Sequence, residues 1–138
     1  MLQGSDAARY WASLRVRSWQ GDLPETLKST LLENLDLQQA WIAVEAAATL
    51  AHLGEEESPV RILGEMLQNH DLNIVLQAMR EVEMLGEKAS SLREVVTRAA
   101  KKYQSMLPTQ TTATFEVTPE QDLAMFIGFS ARAFLQRN

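Results

Sequence analysis

Two stretches of this chain align without a gap and decide how the rest is read. One is Ile42-Ala43-Val44-Glu45-Ala46-Ala47-Ala48-Thr49-Leu50-Ala51-His52-Leu53-Gly54. The other, 32 residues on, is Ile74-Val75-Leu76-Gln77-Ala78-Met79-Arg80-Glu81-Val82-Glu83-Met84-Leu85-Gly86. Ala46 meets Ala78, Leu50 meets Val82, Leu53 meets Leu85 and Gly54 meets Gly86. Apolar residues recur at helical spacing along one face. The small residue lets a neighbouring helix approach closely, and the closing glycine supplies the left-handed backbone that ends a helix. A weaker copy at an offset of 34 runs from Ala8 through Ala12, Val16 and Trp19, with Gly21 one place late. Its alignment with Leu53 and Leu85 assigns Trp19 to the core.

Each copy is followed by a second helical segment. The first runs from Pro24 to about Asp36, with Leu27, Leu31, Leu32 and Leu35 inside. The second runs from Ser58-Pro59 to about Gln68, with Ser58 as the expected N-cap and Pro59 in the first turn. The third spans about Lys88 to Met106. Short connections make each pair an antiparallel hairpin. One pair cannot bury both of its apolar faces, so about three must stack to be stable. The expectation is an all-α chain: a short α-solenoid of about three antiparallel helix pairs over residues 1–107. A Thr-rich linker over 108–117 and a C-terminal helix over 118–138 follow. In that last helix Thr118 is the N-cap, Pro119 the first helical position and Gln121 completes a capping box. Its apolar residues, Leu123, Met125, Phe126, Ile127, Phe129, Phe134 and Leu135, cover more than one stripe. Either both sides pack, or one side is an exposed adhesive surface; a cap on the stack is the favoured reading.

Composition limits function. The 138 residues suit one domain with a core of its own. Hydrophobic residues make up 46% and no apolar run approaches the ~18 residues that span a bilayer. The first six residues, Met1 to Asp6, lack the basic and apolar regions of a signal peptide. The absence of cysteine removes disulfides and thiolate chemistry. A net charge of −5 argues against a nucleic-acid groove. The second helices carry mixed charge, including Lys28, Glu33, Arg61, Glu65, Glu94 and Arg98.

No residue pattern points to catalysis, a cofactor or a metal. His52 and His70 each stand alone, without a second ligand at metal spacing. Glu55-Glu56-Glu57 reads as a solvated loop before a helix N-terminus, where negative charge is favoured. Gly-rich phosphate loops, nucleophile elbows and metalloprotease motifs are absent. Departures from the repeat are more informative. Trp11 aligns with Glu45 and Gln77, and Trp41 with Ala7 and Asn73, columns that are small or polar in the sister copies. Trp41 and Glu45 are four apart, as are Ala7 and Trp11, so these residues share a stripe of the first helices. An exposed tryptophan pair there would anchor a partner. Alternatively, Trp11 packs under the N-terminal segment and Trp41 against the preceding hairpin. The candidate interaction surface is therefore Trp11, Trp41 and Glu45, together with Phe126, Phe129 and Phe134 on the last helix.

Asp71-Leu72-Asn73-Ile74-Val75-Leu76-Gln77-Ala78 resembles the Asp-x-x-Val-Arg-x-x-Ala opening of HEAT-like repeats, with Val75 in place of the Arg. Ala43 replaces it in the middle copy, and Arg9 keeps it in the first. Ala8-Arg9-Tyr10-Trp11-Ala12 and Glu83-Met84-Leu85-Gly86-Glu87-Lys88-Ala89 are similar to the C-terminal helical repeats of some bacterial sulfatase-like proteins. That family's Cys/Ser-x-Pro-x-Arg motif is not present: Ser58-Pro59-Val60-Arg61 lacks the spacer. The resemblance implies a non-catalytic interaction or scaffold module, the helical tail of a larger sulfatase-like hydrolase. Its partner would be another protein or its own upstream domain, and its compartment periplasmic or extracellular. The alternatives are a module that self-associates through the last helix into a homo-oligomer, and a nucleic-acid-binding HEAT-like protein.

Overall fold

A computed structural model describes residues 5–19, 21–35, 38–55, 57–108 and 117–137. Over these residues the chain is all-α. The helices are α1 (Asp6–Arg17), α2 (Glu25–Leu35), α3 (Ala40–His52), α4 (Glu57–Met66), α5 (Leu72–Leu85), α6 (Arg93–Ser105) and α7 (Pro119–Arg137). A 3₁₀ segment, Gly86–Leu92, joins α5 to α6.

The aligned columns carry the core. Ala12, Ala46 and Ala78 are buried, as are Val16, Leu50 and Val82. The glycines that close the three copies all have positive φ: 105° at Gly21, 103° at Gly54 and 56° at Gly86. Such angles are strained for any residue with a Cβ, which is why glycine ends these helices.

Helices α1, α3, α5 and α7 pack successively on one another. Helix α2 lies on α3, α4 lies against both α3 and α5, and α6 lies against α7. Helix α3 is thus enclosed by α1, α2, α4 and α5, and every residue from Ile42 to Ala51 is buried. Its alanines permit this, because four neighbours can come close only where side chains are small. Helix α7 repeats the burial pattern of α5. Its buried residues Ala124, Ile127, Gly128, Ser130, Ala131 and Phe134 each stand 49 positions after a buried residue of α5. Phe126 thereby falls in the column of Trp11, Glu45 and Gln77.

Several local expectations meet the structure directly. Thr118 Oγ accepts from the Gln121 amide at 3.2 Å, and Gln121 Oε1 accepts from the Thr118 amide at 3.0 Å, completing the capping box. Helix α4 begins at Glu57, one residue ahead of the expected cap, so Ser58 lies inside the helix. The third second-helix is not continuous from Lys88. The 3₁₀ turn fills its start, with non-helical backbone at Ala89, and α6 begins at Arg93. Trp19 is not core. It is 46% exposed, its indole N–H donating to the Asp22 carbonyl at 3.3 Å, because α1 packs mainly on α3 and its end is left uncovered. Most of the Thr-rich stretch, residues 109–116, lies outside the described residues, as does Glu56.

Candidate functional site

Two sites emerge, one interior and one on the surface. The interior one begins with Glu45, the single charge in the apolar run of α3, 2% exposed. A carboxylate removed from water needs a partner. Arg17, in the last turn of α1, reaches across and places Nη2 at 2.6 Å from Glu45 Oε1. Its Nη1 lies 3.1 Å from Glu81 Oε2 on α5. His52 Nε2 approaches the same Glu81 oxygen at 3.9 Å, and Lys88 Nζ donates to the His52 carbonyl at 3.1 Å. Below this set, Thr49 Oγ1 donates to the Ser13 carbonyl at 3.3 Å, and Ser13 Oγ donates to the Arg9 carbonyl at 3.0 Å. Three successive helices are therefore tied by one guanidinium shared between two carboxylates.

One cation cannot fully neutralise two buried anions. Burial pushes the Glu45 carboxyl up to about 7, against the attraction of Arg17 and with the neighbouring Glu81 charge adding to the rise. Burial also lowers His52 below its usual value, with the Arg17 charge acting the same way. At neutral pH the cluster sits close to exchanging a proton at Glu45. Among the described residues no group of His, Asp and Glu converges in a metal-binding arrangement.

Of this network, sequence singles out only Glu45 as a site residue, and its column reads there as surface. Its burial removes it from any contact with a partner. Phe134, expected on the same kind of surface, is fully buried between α7 and the helices it covers. Trp41 is half-buried, its ring 5.2 Å from Tyr10 of α1, the first helix of the preceding hairpin, so it packs there rather than standing exposed. Trp11 is 64% exposed and meets Tyr10 edge-on at 5.7 Å.

The surface site lies on α5 and α7. Phe126 and Phe129 are each about half exposed and contact each other edge to face at 6.4 Å. Met84 of α5 is exposed on the same pair of helices. Between α5 and α7 runs an open groove of about 450 Å³, floored by Leu76, Leu123, Phe126 and Phe129 and flanked by Arg80 and Glu83. The Arg132 guanidinium lies over the Phe129 ring at 5.1 Å. The broad apolar pattern of the last helix thus resolves into one packed side and one open side. Several basic side chains of the second helices are paired: Arg61 with Glu65 at 2.7 Å, Arg98 with Glu94 at 2.6 Å, and Lys28 with Glu55. Among the described residues no helix is long and apolar enough to cross a membrane.

Comparison with family models, with curated proteins and with solved structures finds no match to this chain.

Proposed function

We propose that this chain is a non-catalytic interaction module, a short HEAT-like α-solenoid that binds a protein partner through the open side of α7. The observation that carries this is the Phe126–Phe129 pair, half exposed beside an apolar groove. Each of these large aromatics leaves about half of its surface in water in the isolated chain, and such anchors are typical of binding hot spots. The stacked reading is supported by the succession α1, α3, α5, α7 and by the burial pattern shared by α5 and α7. The two short likenesses to sulfatase-like tails support an origin as the accessory end of such a hydrolase, which the gene sequence upstream of Met1 tests. The paired charges of α2, α4 and α6 offer little to a nucleic acid.

The test uses a phage-displayed peptide library selected on the wild-type chain. Selected peptides should bind a Phe126→Ala/Phe129→Ala variant at least about tenfold more weakly, the loss expected of a central aromatic anchor. Its far-UV circular dichroism should be unchanged. Equal binding to both proteins would show that the aromatic pair is not the contact.

A further inference from the structure

Resting on the reading of the α7 face as an interaction surface, we infer that its occupant is a second copy of this chain, paired antiparallel through α7 about a two-fold axis. The argument comes from the order of residues along the open stripe. Asp122, Phe126, Phe129 and Arg132 follow one another at spacings of four, three and three, and all four are exposed. Residues so spaced lie along one side of a helix. The aromatic pair is central, acid stands at the N-terminal end and base at the C-terminal end.

Such a stripe complements itself when reversed. Centring a two-fold axis between Phe126 and Phe129 sets each ring against its opposite number on the partner. The same operation brings Asp122 opposite Arg132 of the second copy, and Arg132 opposite its Asp122. The midpoints of the aromatic pair and of the charged pair differ by half a residue, or about 0.8 Å along the helix. Both therefore obey one axis. A self-complementary patch of this kind is what an isologous dimer requires. A parallel arrangement would instead set acid against acid and base against base. The groove between α5 and α7 lies alongside and gives the partner's rings an apolar floor at Leu76 and Leu123.

The contact is small for a dimer. A phenylalanine buries about 150–250 Å², so four half-exposed rings contribute about 400 Å² to a dimer. Standard interfaces bury at least about 1,200 Å². A contact below that size belongs to the weak, transient class. Two exposed charge pairs would make it weaken with salt.

Sedimentation equilibrium of the full chain between about 10 and 500 μM at low salt reads this directly. Monomer and dimer should interconvert, and Phe126→Ala/Phe129→Ala should be monomeric throughout. Asp122→Lys alone and Arg132→Glu alone should each self-associate at least tenfold more weakly, since each sets like charges together. Mixing the two single variants should restore association, because opposite charges again face each other in the heterodimer. Circular dichroism confirms that each variant is folded. A wild-type chain that stays monomeric to the top concentration overturns the inference. So does self-association indifferent to the charge reversals, which would place the contact elsewhere. If the chain is monomeric yet selected peptides still require Phe126 and Phe129, the surface binds a different protein and the proposed function stands. Failure of both experiments removes the proposed function as well.

Discussion

Replacing Glu45 with Gln removes the charge but keeps the shape of the side chain at the centre of the Arg17 network. The wild-type carboxyl titrates near 4.5 when the chain is unfolded and near 7 when it is folded. Between those values the folded chain holds a proton that the unfolded chain has released. Stability therefore falls as pH rises from about 4.5 to about 7, stays level above that, and is regained on acidification. At about 1.4 kcal/mol per pH unit, the full change is at most about 3.5 kcal/mol. His52 acts in the opposite sense. Its folded value lies below the unfolded one, so its contribution is lost as pH falls through 6.5 toward that folded value. The His52 contribution is largely common to both proteins and cancels in their difference. The Glu45→Gln variant should match the wild type near pH 4.5 and exceed it by up to about 3.5 kcal/mol at pH 8. Urea unfolding followed by far-UV circular dichroism, at pH steps from about 4.5 to 8.5, gives the two curves. If they run parallel across that window, Glu45 does not titrate there and its partial neutralisation by Arg17 is misjudged.

Three further substitutions probe the contacts that hold the helices together. Arg17→Met leaves Glu45 and Glu81 without their shared cation. It should cost about 2–4 kcal/mol at pH 8 and less at pH 5.5, where Glu45 escapes by binding a proton, as urea melts at the two pH values will show. Gly64→Ala would bring a Cβ to 2.7 Å from Leu92 Cδ2, so α4 and the 3₁₀ turn must part or Leu92 must turn. The cost should be about 1–3 kcal/mol, and a double-mutant cycle with Leu92→Ala should show that the two losses do not add. Thr118→Ala removes the hydroxyl that accepts from the Gln121 amide and should lower stability by about 1 kcal/mol in thermal unfolding, with no change in the folded spectrum.

The helices were legible because each depends on chemistry within a few residues. The Ala46 and Ala78 columns, the closing glycines and the Thr118–Gln121 capping box are all local patterns, and all are found where the residues put them. The 3₁₀ turn was not legible. Nothing in Lys88 to Leu92 opposes an α-helix strongly; the departure follows the closing Gly86 and accompanies packing of Leu92 against Gly64. Nor was the charge network. Arg17 is separated from Glu45 by 28 residues and from Glu81 by 64, and the three occupy different repeat columns. The one available signal was Glu45 itself, a lone acid between Val44 and Ala46 in a run otherwise free of charge.

The column that holds Glu45 shows why residue type alone misassigned the surface. Its members are Trp11, Glu45, Gln77 and Phe126 on α1, α3, α5 and α7. Hydrophobicity alone would bury the two aromatics and expose the acid. The structure does the reverse: Trp11 and Phe126 are exposed, Gln77 is half-buried and Glu45 is buried. Position in the succession of helices decides. Helix α3 has neighbours on every side, so even its polar position is enclosed, and Arg17 is recruited to meet the charge. Among the described residues, helices α1 and α7 stand at the ends of this succession, where the equivalent position has no next helix over it. An acid or amide would serve there if solvent were its only neighbour. Aromatic residues at both ends instead leave apolar surface where the succession stops. At the α7 end, the charges that flank that surface are arranged to meet their own reversed image.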